Sequence, residues 1–297
     1  MEQPAQQEEK QEGQQDEQQP EETPQQPEEQ AKEQPEAKPA EQPEQQQESA
    51  AQGEPAVQSA DQGIALLADE HKHCICGGSV TAGDHTSHSD VAYQPWNGTD
   101  GISYTNNTAY VYLTGNAPIG GHLTVDGKTL YLCLNGKTLS SNGTAKIQVK
   151  NGGRLVLCDC QGGGTFKGAT QSVWGGACIY LYTSTLDMFG GKLTGGKVTG
   201  KGGGGAIALD DQQCIFNMYG GEISGNNGNN YGGAIFRKFN ANVPNTTGGA
   251  FNMYGGVIKN NTAKNGGAYF STTGGTIKMT GGTISGTGKY LKEASNG

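Results

Sequence analysis

A six-residue motif recurs along the chain at intervals that few folds can accommodate. The sequence Phe-Asn-Met-Tyr-Gly-Gly occupies residues 216–221 and returns unchanged at 251–256. Weaker copies occupy residues 186–191 and 277–282, and two earlier stretches carry the same alternation with other apolar residues. The first glycines of the six copies lie at positions 136, 162, 190, 220, 255 and 281. Neighbouring copies are therefore 26 to 35 residues apart, a spacing typical of stacked repeats in a solenoid.

Within the motif, apolar and polar residues alternate with a period of two, as in a β-strand with one buried face. Phe216 and Met218 are therefore predicted to point into a core, while Asn217 and Tyr219 point outward. The paired glycines that follow allow the chain to bend where a side chain would meet the neighbouring coil. A second short strand with an apolar middle residue comes next, and a Gly-Gly-Ala motif begins a third strand.

This pattern predicts an all-β protein, a right-handed parallel β-helix of the pectin-lyase type with six or seven coils and about three short strands in each. Because each strand has only a narrow apolar stripe, a coil can bury that stripe only by stacking on another coil. Leucine-rich, ankyrin and tetratricopeptide repeats are excluded, since most of them need a helix in each repeat. No part of the chain after residue 100 shows a period of 3.6, and glycine at this density destabilises helices.

The chain has two parts of very different composition. Residues 1–60 contain 16 Asp and Glu and 3 Lys, a net charge of −13, whereas the remaining 237 residues have a net charge of +4. The first part is rich in Gln, Glu and Pro and poor in apolar residues, so it is predicted to be a disordered tail. The nearly neutral second part lacks the basic excess that would indicate a nucleic acid or an anionic membrane as partner.

The sequence-based division is a disordered tail at 1–60, a Cys/His-rich capping segment at 61–100 and a β-helix at 101–297. We expect the β-helix to be incomplete at its C-terminus, because the sequence stops directly after a repeat. No signal peptide is recognisable after Met1. No apolar run approaches the ~20 residues that a membrane-spanning helix requires.

The capping segment contains the densest cluster of residues that could bind a metal. A structural zinc ion takes four tetrahedral imidazole and thiolate ligands, and four of six side chains could supply them: His71, His73, Cys74, Cys76, His85 and His88. The Cys-x-Cys spacing is tighter than the usual gap of two to four residues between zinc ligands. A disulfide with another cysteine and a solvated polar loop are therefore alternatives. If zinc binds, it would hold residues 70–100 together and cap the first coil.

Further cysteines lie in the repeats, and aligning the glycines predicts where they point. Cys158 and Cys160 align with the buried positions of later coils, so they are predicted to face inward as small apolar residues. Cys133 aligns with the column of Asp159 and Asp187 and is predicted to face outward. The chain has seven cysteines, and an odd total predicts at least one free thiol or metal ligand.

Polysaccharide lyases and hydrolases use the same fold, with clustered carboxylates and an Arg or Lys base, so catalysis has to be considered. Asp210 and Asp211 form the only acidic pair in the coils, and Arg154 and Arg237 are the only arginines. Neighbouring residues of a strand face opposite sides, so the two aspartates could share a site only in a turn. We interpret them as ordinary loop carboxylates and predict a protein without catalytic activity, with a carbohydrate-active enzyme as the alternative.

The outward positions of the motif offer a binding surface instead. Aligned aromatic rings and amides on a flat face suit stacking on sugar rings and hydrogen bonding to their hydroxyls. The alternative is structural, with the asparagines in a ladder and the tyrosines shielding the sheet. The candidate binding residues are Asn217, Tyr219, Asn252 and Tyr254.

Two groups of motifs resemble known surface proteins. The Gly-Gly-Ala-Ile motif with a downstream Ile-x-x-Asn, from Ile223 to Asn226 and from Ile258 to Asn261, is similar to the repeats of polymorphic outer membrane proteins. Residues 132–139, the Asn-Gly-Gly-Arg-Leu that follows at 151, and the His-x-His-Cys-x-Cys-Gly element with a later Trp resemble β-helix surface proteins of gut bacteria. The resemblance covers about residues 70–290, although Thr287 replaces the expected Asn in the last repeat.

This resemblance implies a secreted or cell-surface protein that acts as an adhesin or as a module that binds a glycan or a host surface protein. The only cofactor expected is the structural zinc ion that the Cys/His cluster could bind. Localisation is an expectation from the resemblance alone.

Overall fold

The computed structural model describes residues 72–74, 90–172, 175–211, 213–238, 250–272, 276–285 and 291–293, with the backbone alone for 72–74, 90 and 291–293. Within these ranges every regular element is a strand, and no helix is present. The predicted tail at 1–60 lies outside the described residues. The same is true of most of the predicted capping segment.

Three short strands precede the repeats: β1 (Lys72–Cys74), β2 (Asp90–Ala92) and β3 (Gln94–Trp96). Strands β1 and β2 pair antiparallel, and β3 joins the first sheet of the repeats.

Seven successive coils follow within the described ranges, and each contributes one strand to each of three sheets. The strands are, in chain order, β4 (Thr108–Leu113), β5 (Ala117–Ile119) and β6 (Leu123–Asp126) in coil 1; β7 (Thr129–Cys133), β8 (Thr138–Ser141) and β9 (Ile147–Lys150) in coil 2; β10 (Arg154–Cys158), β11 (Thr165–Lys167), β12 (Thr170–Gln171) and β13 (Ile179–Tyr182) in coil 3; β14 (Thr185–Met188), β15 (Lys192–Thr194), β16 (Lys197–Val198) and β17 (Ile207–Leu209) in coil 4; β18 (Ile215–Met218), β19 (Glu222–Ser224) and β20 (Ile235–Arg237) in coil 5; β21 (Ala250–Met253), β22 (Val257–Lys259) and β23 (Tyr269–Ser271) in coil 6; and β24 (Thr276–Met279), β25 (Thr283–Ser285) and β26 (Leu291–Glu293) in coil 7.

The three long sheets are parallel, and neighbouring strands in a sheet come from neighbouring coils. The first sheet has the order β24-β21-β18-β14-β10-β7-β4-β3, the second β25-β22-β19-β15-β11-β8-β5 and the third β26-β23-β20-β17-β13-β9-β6. Strands β12 and β16 form a small additional parallel pair. Stacked parallel strands of this kind are consistent with a parallel β-helix solenoid, and the prediction of about three strands in each coil is confirmed.

The core consists of inward columns in which equivalent residues stack. Phe216 pairs in register with Leu186 on one side and Phe251 on the other. The two phenylalanine rings stack with centroids 5.2 Å apart. Phe216 and Met218 are both fully buried, so the prediction that they face the core is confirmed. Burial of such large side chains contributes ~1.5–3 kcal/mol each.

In coils 5 to 7 the first glycine of the pair is required by the close approach of the neighbouring coil. A Cβ atom built on Gly255 would lie 2.3 Å from the carbonyl oxygen of Tyr219 in the preceding coil. No real Cβ atom approaches an oxygen so closely, so any other residue would push the two coils apart. The glycines therefore mark the corner between the first and second sheets, as the sequence predicts.

The register of coil 3 differs from the prediction. Leu155 pairs with Leu186 and Leu157 with Met188, whereas the glycine alignment places Cys158 and Cys160 at these two positions. Cys158 instead pairs with Cys133 in a small cluster outside the core, and Cys160 is exposed. The predicted inward orientation of Cys158 and Cys160 is therefore wrong, whereas the outward orientation of Cys133 is confirmed.

The cause is the longer turn that follows β10. The carboxylate of Asp159 accepts hydrogen bonds from the backbone N–H groups of Gly136 at 2.7 Å and Gly164 at 2.6 Å. These bonds fix a wide turn over 159–164, so the first glycine of coil 3 no longer marks the same corner as in later coils. Asp187 pairs in register with Val156. The prediction that Asp159 and Asp187 stack in one column is consequently wrong.

Candidate functional site

The outer face of the first sheet carries two columns that include all four candidate binding residues. Asp187, Asn217 and Asn252 follow one another in register in coils 4, 5 and 6. One position after each strand lie Phe189, Tyr219 and Tyr254, which we call the aromatic stack. Their backbones continue the pairing of the strands: the N–H of Tyr219 donates to the carbonyl of Met188, and the N–H of Tyr254 donates to that of Met218.

The amides form a hydrogen-bonded ladder along the solenoid axis. Asn252 Nδ2 donates to Asn217 Oδ1 at 2.8 Å, and Asn217 Nδ2 donates to Asp187 Oδ1 at 2.7 Å. Arg154 Nε completes the series by donating to Asp187 Oδ2 at 2.6 Å. Both functional atoms of Asn217 are therefore engaged within the protein. The asparagines therefore form the structural ladder that was the alternative to a sugar-binding surface, and the ladder fixes the orientation of each amide.

The aromatic stack is continuous across three coils. The ring centroids of Phe189 and Tyr219 are 4.4 Å apart with planes 11° from parallel, and those of Tyr219 and Tyr254 are 4.9 Å apart at 8°. All three side chains are half-buried. Because the faces of the rings cover one another, a ligand would meet mainly ring edges and phenol hydroxyls. Burial also raises the pKa of Tyr219, so this hydroxyl is a neutral donor at physiological pH.

A second polar site, which no sequence motif predicts, lies on the third sheet. An open groove of about 490 Å³ is lined by residues from coils 1 to 4, including His122, Lys146, Gln171, Tyr180 and Asp210. These residues are far apart in sequence, and only the stacking of coils brings them to one surface. We refer to this set as the third-sheet groove.

Two features of the third-sheet groove are chemically unusual. Tyr180 Oη donates to Asp210 Oδ2 at 2.6 Å, and Lys238 Nζ lies 3.1 Å from Asp210 Oδ1. Burial and the Asp210 carboxylate together raise the pKa of Tyr180. Lys146 is only 4% exposed, and burial lowers the pKa of its amine. Its place directly before the apolar strand residue Ile147 suggests a solvated lysine, but the side chain is buried and its amine lies against Gly175.

The residues considered for catalysis do not converge on one site, and each already contacts other groups of the protein. Asp211 accepts a hydrogen bond from the backbone N–H of Gln213 at 2.7 Å, as a loop carboxylate would. Arg154 lies in the amide ladder of the first sheet, whereas Arg237 is buried in the third sheet. Asp210 lies in the third-sheet groove, where Tyr180 and Lys238 contact its carboxylate.

The proposed zinc ligands cannot be placed side by side. His73 and Cys74 belong to β1, for which the structure gives the backbone alone, while His71, Cys76, His85 and His88 lie outside the described residues. Among the side chains that are described, no three of His, Cys, Asp and Glu are arranged to hold a metal ion. The zinc site therefore stays a prediction.

Comparisons with protein families, with curated proteins and with solved structures found no match for this chain. Within the described ranges, no helix has the length and apolar character needed to cross a membrane.

Proposed function

We propose that this protein is a non-catalytic binding module, acting as an adhesin that recognises a glycan or a host surface protein. The observation that carries the proposal is the aromatic stack beside the amide ladder on the outer face of the first sheet. Both groups are fixed by contacts within the protein before any ligand arrives. A preformed surface loses little side-chain entropy on binding, which favours affinity.

The chemistry of this surface suits a polar, hydroxyl-rich ligand. Two phenol hydroxyls and the outer edges of the amides lie in neighbouring coils, at a repeat set by the ~4.8 Å spacing of strands. Each such contact is weak, so recognition would depend on several coils acting together. Glycan chains and glycosylated host proteins present repeated hydroxyls of this kind.

We also propose a handedness for the solenoid and a role for each of the two N-terminal segments. The solenoid would be right-handed, as the resemblance to β-helix surface proteins implies. Residues 61–100 would cap its first coil, and the acidic residues 1–60 would act as a disordered spacer. Secretion or display on a cell surface follows from the same resemblance.

A structural zinc ion would hold the capping segment together. Metal analysis that finds no zinc, together with a melting temperature unchanged by a chelator, would exclude it.

The binding proposal is tested on an array of glycans and extracellular matrix proteins probed with the full chain. We expect Tyr219→Ala to weaken binding about tenfold, because it interrupts the aromatic stack at its centre. Tyr182→Ala is the matched control, since Tyr182 is an exposed tyrosine outside the stack. Wild-type protein that binds nothing on the array, or equal binding by both variants, would remove the proposal.

A second candidate function is cleavage of a polysaccharide at the third-sheet groove. It is favoured by a buried lysine with a lowered pKa in the same groove as a tyrosine–aspartate pair. A lysine whose pKa is lowered gives up its proton more readily and can then act as a base. Incubation with acidic and neutral polysaccharides separates the two functions. Products that disappear in Lys146→Met would favour the enzyme, and their absence would favour the binding module.

A further inference from the structure

Three cysteines come together on the outer face of the first sheet, at the point where coils 2 and 3 meet. Cys133 and Cys158 are Cα partners in β7 and β10, and both are almost fully buried. Cys160 lies in the turn just after β10 and is exposed. All three are free thiols. Cys133 and Cys158 occupy the position in coils 2 and 3 that the aromatic stack occupies in coils 4 to 6.

The three thiols interact directly, with Cys133 at the centre. The backbone N–H of Cys160 donates to Cys133 Sγ at 3.4 Å. Cys133 also shares side-chain hydrogen bonds with Cys158 and Cys160. The single S–H of Cys158 can donate either to Cys133 or to the carbonyl oxygen of Leu132 at 3.7 Å, and that of Cys160 either to Cys133 or to Asn135 Oδ1 at 3.5 Å. The sulfur of Cys133 is thus the common acceptor of the cluster.

We propose that Cys133 and Cys160 form a redox-active dithiol that closes to a disulfide by exchange with a low-molecular-weight disulfide. Cys160 is the thiol that such a reagent can reach, and Cys133 is the thiol beneath it that completes the reaction. The bond would join coil 2 to the turn of coil 3. This inference does not depend on the proposed binding function.

The reaction balances as two successive thiol–disulfide exchanges. Cys160 gives its proton to the neighbouring Cys133 thiolate, and the resulting Cys160 thiolate attacks one sulfur of the external disulfide, forming a mixed disulfide. The external thiolate released in this step takes the proton back from Cys133 and leaves as a thiol. The Cys133 thiolate then attacks the sulfur of Cys160, breaks the mixed disulfide and releases the second external thiol. The protons of the two cysteine thiols end on the two released thiols. The protein dithiol is oxidised, and the external disulfide is reduced.

Hydrogen bonding explains why Cys133 is suited to the second step. The side-chain hydrogen bond from Cys158 and the bonds from Cys160 lower the pKa of Cys133 to about 7, although burial acts in the opposite direction. Burial and the neighbouring Cys133 raise the pKa of Cys160 to about 12. The negative charge of the cluster therefore resides on Cys133, and a thiolate is the form that attacks a disulfide. The other ionisable groups around the cluster are Asp159, Tyr93, Tyr110, Tyr112 and Tyr131.

Strand geometry selects Cys160 rather than Cys158 as the partner. Directly paired residues in neighbouring parallel strands point the same way, so their Cβ atoms stay about as far apart as the strands themselves, ~4.8 Å. The two Cβ atoms of a disulfide are ~3.8 Å apart, so a bond between Cys133 and Cys158 would require the sheet to deform. Cys160 lies beyond the end of β10, in a turn whose backbone already approaches Cys133 Sγ. Cys158 is therefore a positioning residue that donates a hydrogen bond to the thiolate.

The experiment treats reduced full-length protein with oxidised glutathione and maps disulfides by mass spectrometry after digestion without reductant. We expect a peptide linked through Cys133 and Cys160 and release of two glutathione molecules for each bond formed. Cys160→Ser should abolish the linked peptide, whereas Cys178→Ser, which changes a thiol fully buried in the core, should leave it. A Cys133–Cys158 link, glutathione retained on Cys160 without closure, or no reaction at either cysteine would each overturn the proposal.

The role of Cys158 has its own readout. Cys158→Ala should keep the Cys133–Cys160 bond but move the pH midpoint of closure upward, because the thiolate loses its main donor. At pH 7 the rate should fall about three- to sixfold, since the loss of thiolate is partly offset by its greater nucleophilicity. An unchanged pH profile would show that Cys158 does not position the thiolate.

Discussion

Arg154 Nε donates to Asp187 Oδ2 at 2.6 Å across the boundary between coils 3 and 4, and the Asp187 side chain is only 2% exposed. Asp187 pairs in register with Val156 in the coil before and with Asn217 in the coil after. A buried carboxylate thus occupies a position that neighbouring coils fill with an apolar residue or an amide. Its charge is compensated by the guanidinium of Arg154 and by the amide of Asn217.

We predict that Arg154→Ala destabilises the protein by about 3 kcal/mol, because it leaves a buried carboxylate without its cation. Urea unfolding followed by circular dichroism measures the change. The double variant Arg154→Ala/Asp187→Val should recover most of the loss, since valine is the residue found at this position in coil 3. If the double variant is no more stable than Arg154→Ala alone, the ion pair is not the cause.

The second prediction concerns a buried asparagine ladder at the end of the second sheet. Asn261 Nδ2 donates to the carbonyls of Ile223 at 2.8 Å and Lys259 at 3.0 Å, while its Oδ1 accepts the backbone N–H of Asn226 at 3.1 Å. Asn226 makes the equivalent bonds one coil earlier, to Leu193 and Gly196. These two residues are the asparagines of the Ile-x-x-Asn motif, so the motif has a structural function at this corner.

Asn261→Ala should cost at least about 3 kcal/mol, because several buried backbone groups lose their partners at once and each costs about 1–3 kcal/mol. The loss is measured as a shift of the thermal midpoint. Asn142→Ala is the matched control at an exposed asparagine and should leave the midpoint within a degree or so, as surface substitutions do. Equal midpoints for the two variants would contradict the structural role.

The sequence predicted the coil well because its main signals are local. The alternation in Phe216 and Met218 identifies the inward column, and the paired glycines identify the corner in later coils. The register of coil 3 could not be predicted in the same way. Its wide turn depends on hydrogen bonds that Asp159 makes to Gly136 in the preceding coil, and a contact between coils leaves no local pattern.

The same reason explains why the sequence predicted the first-sheet candidate site but not the third-sheet groove. Asn217 and Tyr219 share one motif, so their common face could be inferred from a period of two. Lys146, Tyr180 and Asp210 belong to three different coils and meet only through stacking. A lysine directly before the apolar strand residue Ile147 was the one available signal, and by itself it indicates only a solvated position.

The third prediction tests the corner glycines. Gly255→Ala should prevent coils 5 and 6 from packing, because the new Cβ would lie 2.3 Å from the carbonyl oxygen of Tyr219. We expect a cooperative loss of the C-terminal coils, visible as a lower β-sheet signal and a lower melting temperature. Gly120→Ala is the matched control, since no heavy atom lies within 4 Å of the position of its Cβ. A Gly255→Ala protein that melts like Gly120→Ala would disprove the proposed packing constraint.

The last prediction is a pH dependence at Glu222 on the second sheet. Hydrogen bonds from Ser224 at 2.6 Å and ion pairs with Lys192 and Lys259 lower the pKa of Glu222 from 4.5 to about 2. A carboxyl whose pKa is lower in the folded state stabilises the fold fully above pH 4.5, and this contribution disappears as the pH falls towards 2.

Glu222→Gln should therefore cost about 1 kcal/mol at pH 7 and almost nothing at pH 2, measured by urea unfolding at both values. Asp126→Asn, which weakens a looser pair with Lys150 at 3.8 Å, should show a much smaller difference. A Glu222→Gln penalty that is the same at both pH values would show that the carboxylate charge is not what stabilises this corner of the sheet.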